Sequence, residues 1–249
     1  MFMRRIALRL RQQDWGAVAI EFALVMAGVF LGIQVANWND ARKENVLEGT
    51  YFARIAQDVH SDAAEMDEII RVASVRMALF NVVLPIASRH PLPDGFDSAR
   101  GRVAIETVPA YADAGPNSPG FALFILTPLE GNRSAYNTMI GAGALANVHD
   151  AAMLRQIQDY YAAVDRIRHF EVALEQNRDK FVDSARKIGM SPVTPLTVDE
   201  IAARVGADSE LLATSENYWL YTNRHLRLMR GLQTQARQLA EAIDGRRSK

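Results

Sequence analysis

The chain has no cysteine among its 249 residues, which excludes disulfides and thiolate chemistry. It has no basic excess either. Its 28 Lys and Arg face 29 Asp and Glu, so there is no electrostatic footprint for nucleic acid. Catalytic signatures are missing: there is no G-x-S-x-G, no P-loop and no H-E-x-x-H. Gly141-Ala142-Gly143-Ala144 lacks the preceding strand and the following spacing of a dinucleotide loop, and reads as a turn or close helix contact. These absences point away from an enzyme, and no cofactor is expected.

What the chain does have is one long apolar run, Trp15 to Trp38, interrupted by a single charge, Glu21. A helix rises ~1.5 Å per residue, so about 20 apolar residues match a hydrocarbon core of roughly 30 Å. The indoles of Trp15 and Trp38 stand at the two edges, where aromatic rings favour the interface. Arg4, Arg5, Arg9 and Arg11 precede the run, while Arg42 and Lys43 follow it. The excess of cations before the span predicts a cytoplasmic N-terminus, residues 1–14, and an extracytoplasmic remainder, residues 39–249. In a Gram-negative host that remainder is periplasmic and the membrane is the inner one. The run ends in Gln34, Asn37 and Trp38 with no small-residue cleavage site, so it reads as an uncleaved signal anchor rather than a secretory signal. Gly16-Ala-Val-Ala-Ile-Glu21-Phe22 is similar to a type IV prepilin processing site, but the body of the chain does not look like a pilin.

On a helix at 100° per residue, Gly28, Gly32 and Asn39 fall within about 20° of Glu21. Gly28-x-x-x-Gly32, extended by Ala36, is the small-residue spacing that lets membrane helices approach closely. A carboxylate within a membrane is costly unless it is paired, protonated or facing protein. Glu21, Gly28, Gly32 and Ala36 therefore form an expected packing seam toward a second copy or a membrane-protein partner. Gln34 points elsewhere and can bond a second helix. Asn37, Trp38, Asn39 and Arg42 put two amides, an indole and a guanidinium at the outer interface, suited to lipid headgroups or a partner protein.

Beyond the span, the spacing predicts an all-α protein: the membrane helix continuing into an up-down bundle of three long helices, with short helices and a long distal loop region. About 210 residues remain, enough for one core. The first long helix covers Asp40 to about Arg89, with apolar positions at intervals of three and four from Val46 to Phe80. Pro, Gly, Asn and Asp then dominate from His90 to Arg133 and mark turns. Within them, Ser98–Thr107 reads as a short helix, and Phe121–Thr127 as a buried extended segment or short helix. Ser134 is placed to cap a short helix, Asp150 to open the second long one, and Gly189 to end it. Thr197-x-x-Glu200 is a capping box. Asp208 or Ser209 opens the last helix, which runs to about Asp244. In this arrangement His90–Arg133 lies at the far end of the bundle and Gly189–Asp208 near the bilayer.

Ile20-Glu21-Phe22, Gly28-Val-Phe-Leu-Gly32-Ile-Gln34-Val35-Ala36-Asn37-Trp38-Asn39-Asp40 and Arg42 resemble the opening of a family of bacterial single-pass inner-membrane proteins. Its members read I-E-F…G-x-x-x-G/A-L-Q-x-N-N-W-N-E-x-R after a short basic start. Phe52–Ile70, Ser134–Leu145 and Leu154–Tyr161 resemble later segments of the same family. Ala36 departs from the pattern, standing where Asn is common. The resemblance implies a membrane-anchored protein with no assigned activity, and it runs well past the prepilin-like site.

Asp58, Asp62 and Glu65 share one helical face with His60 nearby, and read as a solvated acidic face rather than a cation site. His149-Asp150 and His169-x-Glu171 lack metal spacing. Tyr160, Tyr161, Tyr218, Trp219 and Tyr221 fall at helical spacing, as core or as the lining of an aromatic cleft. The expectation is a non-enzymatic protein that self-associates or binds another envelope protein, the alternative being a sensor-like ligand-binding bundle that signals through a membrane partner.

Overall fold

The computed structural model describes residues 15–98, 101–112 and 119–247. The basic segment 1–14, on which the orientation reading rests, lies outside them. Among the described residues the protein is all-α apart from one hairpin. Helix α1 spans Trp15–Ser88, strands β1 Gly95–Ser98 and β2 Gly101–Ala104 form the hairpin, and α2 (Phe121–Phe124) and α3 (Ser134–Gly141) follow. A 3-10 turn covers Ala144–Asn147, then come α4 (Ala151–Lys187), α5 (Val198–Ala207) and α6 (Ser209–Arg247). The chain divides into two units, Met1–Thr50 and Tyr51–Lys249.

The first unit is helical from Trp15 onward, and Ile20, Phe22, Val25, Phe30, Leu31, Ile33 and Val35 are all exposed. It carries the one helix among the described residues that is long and apolar enough to cross a membrane.

The second unit is a bundle of α1 from Tyr51 onward, α4 and α6. Helices α1 and α6 run antiparallel: His60 meets Asp244, Asp67 meets Arg237, and the Trp219 indole donates to Asn81. Helices α4 and α6 are antiparallel too, joined by Asp150–Arg246, Glu171–His225 and Lys187–Glu210. It follows that α1 and α4 are parallel, as the contacts of Asp62 with Tyr160 and of Phe80 with Phe181 require.

This direction relocates both connections expected from the sequence. Gly189–Asp208 closes the end of the bundle where α1 stops, not the end that carries Tyr51. There α5 meets α1 so closely that a Cβ on Gly206 would lie 2.8 Å from the Ala87 carbonyl oxygen. The described parts of the connection between Ser88 and Ala151 are not confined to one end: Glu106 meets Arg230, Ala122 meets Arg76, Leu129 meets Glu171 and Ala135 meets Asp58. Its main chain is hydrogen-bonded to α1, α4 and α6 in turn, so it is a strap rather than a distal loop.

Local signals explain most helix ends. The Asp150 carboxylate accepts from the N–H groups of Ala152 and Met153, and Thr197 and Glu200 form a full capping box. Asp208 accepts from Leu211 N–H at 2.8 Å. Gly189, at φ 75, lets Met190 N–H reach back to the Ala185 carbonyl and terminate α4. Ser134 is not a cap; it is the first residue of α3, where Asn132 takes Ser134 N–H and Asp58 of α1 takes Ala135 N–H. The Ser98–Thr107 segment is not a helix. Gly95 pairs with Ala104 and Ser98 with Gly101, the last at φ 106, a conformation that favours glycine.

Candidate functional site

Two groups of residues stand out, one in each unit. In the first, Glu21, Gly28, Gly32, Gln34, Ala36, Asn37, Trp38, Asn39 and Arg42 are all exposed. A Cβ at Gly28 or Gly32 would meet nothing within 4 Å. Among the described residues of this unit, no segment lies against the face that carries the glycines. Farther along, Trp38, Ala41, Arg42, Asn45 and Val46 line an open hollow of about 420 Å³. Lys43 pairs with Asp40 at 3.2 Å, and Arg42 has no carboxylate partner among the described residues.

In the second unit the five aromatic residues do not come together. Tyr160 and Tyr161 belong to an apolar cluster around Phe52, Ile55 and Met229. Tyr218 and Trp219 belong to a second cluster with Phe80, Phe181 and Leu211. Tyr221 stacks on Phe170 with centroids 5.6 Å apart. Tyr160, Tyr161 and Tyr218 are at most 1% exposed, so they fill the interior. Burial pushes all three phenols above their ordinary range; for Tyr160 the Asp62 carboxylate adds to the effect.

Polar side chains of the helices grip the strap mainly by its main chain, with ion pairs at Glu106 and Arg133 besides. The Glu171 carboxylate accepts Leu129 N–H at 3.1 Å on each oxygen. Glu65 accepts from Glu130 N–H at 2.6 Å and Gly131 N–H at 3.2 Å. Asp62 takes Asn132 N–H at 2.6 Å and the Tyr160 hydroxyl at 2.7 Å. Asp58 takes Ala135 N–H at 2.9 Å. At the other end of the strap, Arg76 donates to the carbonyls of Ala122 and Ile125. The α6 side chains Arg227 and Arg230 hold Glu106 and the neighbouring carbonyls.

This pattern revises the acidic face. Asp62 is 2% exposed, so it is not solvated, and its carboxyl is raised above the ordinary value by burial, against the lowering pull of Tyr160 and Asn132. Where a loop packs on helices its covered amides need partners, and these carboxylates supply the acceptors.

Two buried groups were not singled out from the sequence. His225 is fully buried, with Nε2 2.8 Å from Glu171 Oε1 and Nδ1 unpartnered. Arg76 is 1% exposed, stacks 5.2 Å from the Tyr218 ring centroid, and leaves one guanidinium nitrogen unpartnered. Both fall within the apolar stripes of their helices, His225 between Tyr218 and Met229 and Arg76 between Ala73 and Phe80. A polar residue at a stripe position is the signal that marks them.

Beside the strap, Leu126, Pro128, Leu129, Glu171, Val172 and Arg178 border a cleft of about 270 Å³. No group of three or more metal-ligating side chains occurs among the described residues. No family model, curated protein or solved structure matches this chain.

Proposed function

We propose that the protein is a non-enzymatic, single-pass membrane protein of the bacterial inner membrane, with its N-terminus in the cytoplasm and its helical bundle in the periplasm. It acts by self-association or by binding another envelope protein through the face formed by Glu21, Gly28, Gly32 and Ala36. One observation carries the reading. Gly28 and Gly32 lie open on a helix whose apolar residues are exposed all round, with Glu21 on the same face. A helix apolar on every side suits lipid, and a small-residue groove within it suits a second helix. The second unit commits its buried groups to the fold. Its aromatic side chains fill the interior, and its buried carboxylates Asp62 and Glu171 are occupied by strap amides.

The test is the mass of the full-length protein in mild detergent, with and without Gly28→Leu and Gly32→Leu. Among the described residues nothing outside their own helix lies within 4 Å of a Cβ at either glycine, so leucine there should leave the bundle folded. A homo-oligomer or a stoichiometric partner that is lost in the variants is the expected result. A bare monomer in all forms overturns the seam.

A second reading rests on the cleft beside the strap, which apolar Leu126 and Val172 line together with charged Arg168 and Arg178. Apolar walls with a few polar groups suit a small ligand, and occupancy there would make the bundle a sensor that signals through a membrane partner.

A further inference from the structure

The hollow at Trp38, Arg42 and Asn45 has a sidedness that the packing seam does not explain. At 100° per residue, Trp38, Asn45 and Val46 all lie within about 60° of Arg42, whereas Asp40 and Glu44 lie on the opposite side of the helix. The two cations that follow the apolar run are thus unlike. Lys43 is paired with Asp40, while Arg42 faces the hollow with no carboxylate among the described residues. Depth matters as well. Arg42 is one helical turn past Trp38, about 6 Å beyond the edge of the apolar run. A bilayer's headgroup layer is roughly 5–7 Å thick on each side of the hydrocarbon core. If the run spans the bilayer as proposed above, Arg42 stands at the level of the lipid phosphates.

We infer that this face binds the phosphodiester of an anionic phospholipid. The Arg42 guanidinium and the Asn45 amide donate to the phosphate oxygens. The Trp38 indole lies against the glycerol region, and the exposed side chains of Leu31 and Val35 meet the acyl chain. A planar guanidinium offers paired donors that fit phosphate geometry, and without a carboxylate partner it enters that contact at no loss of an existing ion pair.

The experiment is native mass spectrometry of the full-length protein released from mild detergent after incubation with dioleoylphosphatidylglycerol or dioleoylphosphatidylcholine. The wild-type protein is expected to retain phosphatidylglycerol in preference. Arg42→Gln should cut that preference about five-fold, as expected for one cation at a membrane surface. Lys43→Gln should leave it nearly unchanged, and millimolar inorganic phosphate should not displace the lipid. Equal losses in the two variants would reveal diffuse attraction and overturn the site. So would displacement by inorganic phosphate, or the absence of any preference. A protein that stays soluble without detergent and fails to enter lipid nanodiscs would overturn the membrane reading itself, and the site with it.

Discussion

Glu171 offers the sharpest test of how the strap is held. Its carboxylate, 5% exposed, accepts Leu129 N–H on both oxygens and faces His225 Nε2 at 2.8 Å. Glu171→Ala removes the acceptor from two buried donors at once. Each orphaned buried donor costs about 1–3 kcal/mol. The His225 Nδ1 is already unpartnered, so the imidazole has no second contact to fall back on. For two such groups the expected loss is therefore about 2–6 kcal/mol. Glu171→Gln keeps a carbonyl oxygen for both donors and should lose only about 1–1.5 kcal/mol. Denaturant titration of the full-length protein in mild detergent, read by the fluorescence of buried Trp219, measures both. An alanine variant within about 1 kcal/mol of the wild type would show that the carboxylate does not hold the strap. Equal losses for Ala and Gln would show that its charge, not its acceptor geometry, matters.

Three further outcomes follow from the same packing. Gly206→Ala should destabilise by about 1–3 kcal/mol, because its Cβ would press on the Ala87 backbone. Gly231→Ala, with open space at an exposed position inside α6, should stabilise by about 0.5–1 kcal/mol; thermal melts showing the same sign for both would contradict the close approach of α5 to α1. Asp62 has a raised folded pKa, so the native state holds its proton more tightly than the unfolded chain. Its contribution to stability is thus full below the ordinary value of 3.8 and is lost as pH rises through the folded value. Melting temperatures of the wild type relative to Asp62→Asn should fall through that acid window, and a rise would refute the burial argument. Finally, Asp58→Ala together with Glu65→Ala should expose the 130–135 segment to limited proteolysis at native pH, while unchanged protection would mean that the amide contacts are dispensable.

The sequence made the helices legible but not their directions. Apolar intervals along α1, α4 and α6 marked buried residues such as Ile55, Met66, Ile157, Leu174 and Leu239. Asp150, Gly189 and the Thr197/Glu200 pair marked helix ends, because each acts on main chain within a few residues of itself. Whether α1 and α4 run parallel depends instead on contacts distant in the chain, such as Asp62 with Asn132, 70 residues away. Main-chain amides have no residue signature, so the partners of Asp58, Asp62 and Glu65 could not be read and the face looked solvated. Arg76 and His225 were hidden differently. Each interrupts an apolar stripe without breaking its period, so a polar residue at a stripe position was their one sign in the sequence. That Gly28 and Gly32 share one face follows from spacing alone, since it depends on one helix.

The proposed function requires that the chain cross a bilayer with its bundle outside the cytoplasm. The absence of native cysteine makes that directly measurable. Glu216→Cys puts a single thiol on the exposed surface of α6, and Gln12→Cys puts one before the span. In intact spheroplasts, a membrane-impermeant maleimide should label the first variant and leave the second unlabelled until the cells are lysed. Labelling of Gln12→Cys alone would reverse the orientation, and protection of both until lysis would place the bundle inside the cell and contradict the account.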